Sequence, residues 1–190
     1  MTEHIETERC RLAALELADR ENVGALYRCG ETRRYLGGAL DEQSFGNRFS
    51  HMLGDNEGRH WTILTREGLN FVGLVSLNPH HDGLDFEIAY QILPSFWGQG
   101  LARETVDALI GYASSVLGLP KLLAETQAVN LRSRRLLERL GMTELRTVKR
   151  FGAEQVIYQR VFSRSAPLLP WKGTFSRCEI QKSSDQRCGR

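Results

Sequence analysis

Apolar and polar residues alternate strictly over residues 84–93, LDFEIAYQIL, and this pattern predicts a β-strand. The apolar face would carry Phe86, Ile88, Tyr90 and Ile92. The opposite face would carry Glu87, Ala89 and Gln91. The strand therefore has one face for packing and one face with polar side chains.

Shorter patterns predict the other elements of the fold. Further strands are expected at residues 6–17, 60–65, 70–77, 121–128, 144–150 and 155–162. Helices are expected at residues 18–29, 41–52, from the glycine-rich stretch after residue 93 to about 117, and 130–140, with Asp41 as an N-cap and Gly141 after the last helix. The order βααβββαβαββ favours an α/β (α+β) fold: a mixed, mostly antiparallel sheet of six or seven strands flanked by about four helices.

The size of the chain suits a single domain. It has 190 residues, 41% hydrophobic and 25% charged, which allows an ordinary core and an extension. No apolar run reaches the length of about 18 residues that spans a membrane. The first ten residues are acidic and polar, unlike a secretory signal, so we expect a cytoplasmic protein. The four cysteines form no Cys-x-x-Cys pair, and we expect reduced thiols.

The net charge of +2 conceals an asymmetry along the chain. Residues 164–190 carry an excess of basic over acidic residues, which leaves the remainder slightly acidic. We therefore expect a domain at residues 1–163 and a basic C-terminal extension at 164–190, disordered or loosely docked. The domain is not expected to have a general nucleic-acid-binding surface.

Gly98 and Gly100 lie between the strand predicted at 84–93 and the helix that follows it. Two interpretations are open from these residues alone. The glycines could form a tight turn, or they could let a phosphate approach the N–H groups of a helix N-terminus. The common phosphate-loop fingerprints do not fit, because Arg103 occupies the third glycine position of Gly-x-Gly-x-x-Gly and no Gly-Lys-Ser/Thr follows.

The surroundings of this turn carry a family resemblance. The chain contains three blocks in order: IETERCRLAALELAD, FEIAYQILPSFWGQGLARETV and AVNLRSRRLLERLGM. Together they resemble the GCN5-related N-acetyltransferase (GNAT) family over residues 5–162, and in particular its ribosomal-protein alanine acetyltransferase (RimJ/RimL-type) branch. The resemblance implies a GNAT fold, with the sheet splayed between the fourth and fifth predicted strands. It also implies an enzyme that uses acetyl-CoA as co-substrate.

The resemblance assigns the glycine turn to the pyrophosphate of acetyl-CoA. The family pattern Gln/Arg-x-x-Gly-x-Gly/Ala matches at Gly100 and Ala102 and departs at its first position, Trp97. The backbone N–H groups implied to hold the pyrophosphate are those of Trp97, Gly98, Gln99, Gly100, Leu101 and Ala102. The pantetheine arm is implied to lie beside Ile92, Leu93 and Asn130, and Asn130 could also serve as a helix N-cap. Three arginines of the last predicted helix could contact the 3′-phosphate of CoA or form a solvated helix face: Arg132, Arg134 and Arg135.

Acetyl transfer to an amine requires a base, an oxyanion donor and an acid for the leaving thiolate. Glu87 matches a glutamate of the branch and is the candidate base, acting either directly or through a water molecule, with Asp85 as a weaker alternative. The family implies a main-chain N–H near Ile92 or Leu93 as the oxyanion donor. Many family members use a tyrosine of the fourth helix as the acid; here Ser133 matches a serine of the branch. Glu87 and Ser133 could equally be ordinary strand and helix residues.

We therefore expect an N-acetyltransferase that works by direct attack in a ternary complex, as a monomer or homodimer. The acceptor would be a protein N-terminus, such as that of a ribosomal protein, or a small-molecule amine. The alternative is a non-catalytic acyl-CoA sensor with the same fold. No metal is expected, because the sequence offers His80 and His81 no evident third ligand. Tyr112 and Tyr158 are expected in the core, and no nucleic-acid or membrane partner is expected.

Overall fold

The computed structural model describes residues 4–81 and 83–162. Within these residues, eight strands form one sheet. The strands are β1 (His4–Glu6), β2 (Cys10–Ala14), β3 (Arg59–Thr65), β4 (Phe71–Pro79), β5 (Phe86–Ile92), β6 (Lys121–Gln127), β7 (Thr143–Arg150) and β8 (Ala153–Val161). Their order across the sheet is β1-β2-β3-β4-β5-β6-β8-β7. Every neighbouring pair is antiparallel except β5 and β6, which are parallel.

Four α-helices flank the sheet in the described part of the chain. They are α1 (Arg20–Arg28), α2 (Glu42–Gly54), α3 (Leu101–Ser115) and α4 (Leu131–Arg139). Asp41 caps α2 as predicted, because its side chain accepts a hydrogen bond of 2.7 Å from the Ser44 N–H. Gly141 follows α4 with a φ of +72°, a conformation that glycine adopts without steric cost. The predicted mixed α/β class is confirmed.

The single strand predicted at residues 6–17 is wrong, and the sheet has eight strands rather than six or seven. Residues 4–14 form two antiparallel strands, β1 and β2, joined by a tight turn. Thr7 closes this turn: its N–H donates to the Cys10 carbonyl, and its hydroxyl oxygen accepts from the Cys10 N–H, both at 2.9 Å. The chain then leaves the sheet after β2 and forms a short 3₁₀ turn at Leu17–Asp19.

The sheet is splayed between β5 and β6, as predicted. These two strands pair only where Phe86 faces Leu122 and Glu87 faces Leu123. On its other side β5 pairs with β4 along its whole length, and the Leu93 N–H donates to the Val72 carbonyl at 2.9 Å. In this antiparallel register the N–H and C=O of Ile92 point away from β4. They therefore face the gap between β5 and β6.

Two apolar clusters cover opposite faces of the sheet. The larger one includes an apolar stripe of α3: Val106, Leu109, Ile110 and Ala113. The smaller one joins α1 and α2 to Leu74 of β4 through Val23, Leu26, Tyr27, Phe45, Phe49 and Met52. Leu74 and its neighbour Val75 belong to different clusters, as the alternation of a strand requires.

Several simpler expectations can be compared with the described residues. No helix among them is long and apolar enough to cross a membrane. Tyr112 and Tyr158 are buried, as predicted. Cys10 and Cys29 are free thiols. The extension predicted at 164–190, with its two cysteines, lies outside the described residues.

Candidate active site

The glycine turn presents a row of backbone donors at the start of α3. Gly98 and Gly100 have φ values of +77° and +80°, a region that side chains rarely tolerate. Within the described chain, no acceptor is bonded to the N–H groups of residues 98–103. The Trp97 N–H, which was predicted to join this row, donates instead to the Pro94 carbonyl at 3.1 Å. Such a row at a helix N-terminus suits an anion, and the open space above Gly98 would be filled by a side chain.

Arg9 holds this turn from the side of the β1–β2 turn. Its Nη1 donates to the Gln99 carbonyl at 2.9 Å, and its Nε pairs with Glu104 Oε2 at 2.7 Å. The Thr7 hydroxyl and the Arg9 N–H both donate to Glu104 Oε1, at 2.6 and 2.7 Å. Partial burial alone would raise the pKa of Glu104, but these hydrogen bonds outweigh it and lower that pKa below its ordinary value. Glu104 is therefore a carboxylate that fastens the first turn of α3.

Trp97, the position at which the family pattern departs, covers the end of β5. Its indole Nε1 donates to the Ile92 carbonyl at 2.8 Å. The guanidinium of Arg132 lies over the indole, 4.9 Å from the ring centroid. Arg134, by contrast, donates to the Tyr158 hydroxyl at 3.0 Å and is a structural residue, while Arg135 is exposed. Of the three candidate arginines, Arg132 is the one in contact with the glycine-turn region through Trp97.

A cavity of about 420 Å³ lies at the splay of the sheet. Its lining comes from both faces: α4 and β6 contribute Ala124, Glu125, Thr126, Asn130, Ser133 and Leu137, and β5 contributes residues 88–91. The α1–α2 side contributes Tyr27, Thr32, Arg33, Tyr35, Leu36, Leu40 and Arg48. The gap between β5 and β6 thus joins the two faces in one space.

The α4 side of this cavity has two hydroxyl groups in contact. Asn130 caps α4, with its Oδ1 accepting from the Ser133 N–H at 3.3 Å and its Nδ2 donating to Thr126 Oγ1 at 3.1 Å. The Ser133 and Tyr90 hydroxyls share a hydrogen bond of 2.7 Å. Burial raises the pKa of Tyr90 to about 12. Sequence reasoning assigned Tyr90 to the apolar stripe; the only signal of another role was a phenol within that stripe.

The candidate base Glu87 lies in a cluster with His80 and Glu125. Potential ligand atoms of these three side chains lie within 4.8 Å of one another. The expectation that His80 has no third ligand nearby is therefore wrong, because strand pairing brings two carboxylates to it; His81 is not part of this cluster. Arg150 already supplies a cation here: its Nε donates to Glu125 Oε1 at 2.7 Å and its Nη2 contacts His80 Nε2 at 3.1 Å.

Among these carboxylates, Glu125 lines the cavity and Glu87 does not. Glu125 was missed from the sequence, although a charged residue within the apolar run of β6 was a visible signal. The weaker alternative, Asp85, pairs with Lys121 Nζ at 2.8 Å. Of the two candidate oxyanion donors, the Leu93 N–H is occupied by Val72, whereas the Ile92 N–H faces the gap.

The family model for the acetyltransferase (GNAT) domain matches residues 9–143. This chain belongs to the GNAT acetyltransferase family. It is 28% identical over 171 residues to the uncharacterized N-acetyltransferase YoaA of Bacillus subtilis, covering 86% of this chain and 90% of YoaA. The relatives named as N-acetyltransferases and the family match make this protein a GNAT-type acetyltransferase.

Solved structures support the same fold. Spermidine N-acetyltransferase from Vibrio cholerae, solved with CoA and spermine, superposes with a TM-score of 0.69 at 19% identity, covering 80% of this chain and 95% of that one. RimL, a ribosomal L7/L12 α-N-protein acetyltransferase, superposes with a TM-score of 0.72 at 16% identity, covering 85% of this chain and 96% of that one. At these identities the likeness concerns the GNAT fold.

Proposed function

We propose that this GNAT acetyltransferase transfers the acetyl group of acetyl-CoA to a primary amine by direct attack in a ternary complex. Two observations carry the proposal: the row of N–H groups at residues 98–103, which no acceptor in the described chain occupies, and the cavity at the splay of the sheet. A diphosphate is the acetyl-CoA group that such a row recognises. The splay gives the pantetheine arm a route along the free edge of β5.

In this proposal the main chain of residues 98–103 holds the pyrophosphate, with the indole of Trp97 and the guanidinium of Arg132 beside it. Ile92 is favoured over Leu93 as the oxyanion donor, because the Leu93 N–H is already bonded to Val72. Asn130 caps the N-terminus of α4 and lines the cavity at the splay of the sheet. The Ile92 N–H is held in place by the pairing of β5 with β4, so it can stabilise the developing oxyanion without moving.

Glu87 is proposed as the general base, acting through a water molecule because it does not itself line the cavity. The amine nitrogen then bonds to the acetyl carbon, and the carbon–sulfur bond breaks. Ser133 donates a proton to the departing thiolate, Tyr90 passes its own proton to Ser133 through their shared hydrogen bond, and water then reprotonates Tyr90. A phenol with a raised pKa remains protonated at neutral pH, so this pair can take the role of the tyrosine that α4 lacks.

The acceptor class is proposed from the family and from the neighbours. By their names, the Vibrio cholerae enzyme acetylates spermidine and RimL acetylates the N-terminus of ribosomal protein L7/L12. Membership of the RimJ/RimL-type branch is a proposal that rests on the matched blocks around Glu87 and Ser133. A primary amine on a peptide or a small molecule is the substrate common to these possibilities.

The decisive experiment is calorimetric titration of acetyl-CoA into the native protein, Gly100→Trp and Gly118→Trp. Gly118 has a positive φ of +64° at the far end of α3, so it controls for backbone strain. We expect Gly100→Trp to raise the Kd at least about 100-fold, since several charge-assisted hydrogen bonds are lost, and Gly118→Trp to bind normally. No binding to the folded native protein would refute the proposal.

A second measurement separates an enzyme from an acyl-CoA sensor. Glu87→Gln should bind acetyl-CoA as the native protein does while kcat falls by about 100-fold or more. Equal turnover by native protein and Glu87→Gln would remove Glu87 from the mechanism. Binding without turnover of any amine by the native protein would favour the sensor.

A further inference from the structure

Arg33 is a buried positive charge at the wall of the cavity. Arg33 is only 9% exposed, and no carboxylate of the described chain forms an ion pair with it. Burying a charge without an opposite charge is costly. The position of Arg33 on the cavity wall makes an anionic ligand the natural counter-charge.

The guanidinium of Arg33 is fixed in orientation. Its Nε donates to the Gly38 carbonyl and its Nη2 to the Leu36 carbonyl, both at 2.6 Å. The group lies over the ring of Tyr27, 4.8 Å from the centroid. Its Nη1 is directed toward Gln91 of β5, with a long contact of 3.5 Å. The guanidinium has N–H groups beyond those that bond Leu36 and Gly38. Because its orientation is already fixed, it can bind an oxyacid with little further loss of entropy.

Arg48 of α2 lines the same cavity and is exposed. No ion pair involves it within the described residues, whereas Arg20 and Arg28 on the outer surface both pair with Glu42, at 2.6 and 2.8 Å. The charge of Arg48 is also felt at Arg33: burial lowers the pKa of Arg33 most, and Arg48 lowers it further. On the opposite wall, Arg150 neutralises Glu125. The α1–α2 end of the cavity is therefore electropositive.

We propose that the amine acceptor carries an anionic oxyacid group, a carboxylate or a phosphate, that binds to Arg33 and Arg48 at the α1–α2 end of the cavity. This rests on the proposed function and narrows its substrate class. Polyamines such as spermidine would be repelled by the two arginines. The expected acceptors are small amines or peptide N-termini with an acidic group close to the amine.

The test compares amines that differ only in the acidic group. Amino acids are paired with their primary amides, and O-phosphoethanolamine is paired with ethanolamine. Spermidine serves as the polycation. Each amine is assayed at saturating acetyl-CoA, and the release of the CoA thiol is measured. We expect kcat/KM to be at least about tenfold higher for the acidic member, which corresponds to one charge-assisted contact. The carboxylate and phosphate arms identify which oxyacid is preferred.

Arg48→Gln and Arg34→Gln are the matched variants. Arg34 is an exposed neighbour of Arg33 that does not line the cavity. Arg48→Gln should lower the acid-to-amide ratio of kcat/KM about tenfold, through a higher KM for the acids, whereas Arg34→Gln should keep the native ratio. The proposal would be overturned if kcat/KM were equal for acids and amides, or if spermidine were acetylated faster than the acidic amines. It would also be overturned if the acid-to-amide ratio of kcat/KM were the same in Arg48→Gln and the native protein.

A binding measurement keeps this result independent of catalysis. The acidic amines and their neutral partners are titrated into the protein, with and without CoA, by calorimetry. Selective binding of the acids that is lost in Arg48→Gln supports the anion site even if no amine is acetylated; equal binding refutes it. The titration of acetyl-CoA described above then reports separately on the proposed function.

Discussion

Burial keeps the phenol of Tyr90 protonated, because its charged form would lie in a poorly solvated pocket. The pattern of β5 predicts the face on which Tyr90 lies, but not its contact with Ser133, which is 43 residues further along the chain. The same holds for Glu125 and Arg150, which meet only because β7 and β6 both pair with β8. At this scale the sequence identified residues with a local signature, such as Asn130 before a helix. It missed partners that are joined only by the sheet.

Replacing Tyr90 with Phe removes the proposed proton donor but keeps the ring. We expect kcat to fall about 100-fold, in the range of general acid catalysis, while the Kd for acetyl-CoA is unchanged. Tyr112→Phe, which removes a hydroxyl from another buried tyrosine, should retain activity. Steady-state kinetics with calorimetry would test this, and a kcat of native size in Tyr90→Phe would exclude the Tyr90–Ser133 pair from catalysis.

The same tyrosine should affect stability at high pH. Its pKa of about 12 in the folded protein lies above the ordinary value of 10.0, so the folded state keeps a proton that the unfolded chain releases between these values. The resulting stabilisation is complete below pH 10 and is lost as the pH rises to about 12. Urea unfolding at pH 9 to 12 should show a steeper loss of free energy for the native protein than for Tyr90→Phe. Parallel curves would contradict this.

Arg150 compensates the charge of Glu125, whose side chain is only 7% exposed. Arg150→Met should lower the free energy of unfolding by about 3 kcal/mol, because it leaves a buried carboxylate without its partner. Adding Glu125→Gln should recover much of that loss. Lys149→Met, at an exposed neighbouring position of β7, is the control in urea denaturation at neutral pH. If Arg150→Met and Lys149→Met lowered the free energy of unfolding by similar amounts, the Arg150–Glu125 pair would contribute little to stability.

At the scale of elements, local signals were the most reliable. The four helices were predicted because each has an apolar stripe and most have a recognisable start or end, such as Asp41 or Gly141. The N-terminal strand was predicted as one element because its alternation continues through residues 7–9, where the Thr7 side chain instead closes a turn. The splay between β5 and β6 was expected from the family resemblance; alternation within one strand cannot specify how long two strands remain paired.

That N-terminal turn also supports the glycine turn, since Arg9 links it to Gln99 and Glu104. Arg9→Gln should raise the Kd for acetyl-CoA about fivefold, a modest effect because the arginine is half-exposed. The kcat at saturating acetyl-CoA should not change. Arg66→Gln is the control, because Arg66 contacts the Thr7 carbonyl at 3.3 Å and makes no contact with the glycine turn. Equal affinities for native protein and Arg9→Gln would show that the turn is rigid without this support.

At the scale of the whole molecule, the sheet separates two sides, and the cavity at its splay is lined from both of them. The glycine turn and α4 belong to one side, and the arginines of the α1–α2 region belong to the other. Both sides line a single cavity, so an amine and a thioester can meet there directly. This arrangement comes from the strand order rather than from any one motif.

Direct contact of the two substrates predicts sequential kinetics. Double-reciprocal plots at several fixed acceptor concentrations should intersect, whereas an acetylated enzyme intermediate would give parallel lines. Cys29 is the thiol to test, because hydrogen bonds from Thr32, a cavity residue, lower its pKa. No cysteine lines the cavity within the described residues, so Cys29→Ser should keep the native kcat. Parallel lines together with an inactive Cys29→Ser would replace direct attack with a covalent route.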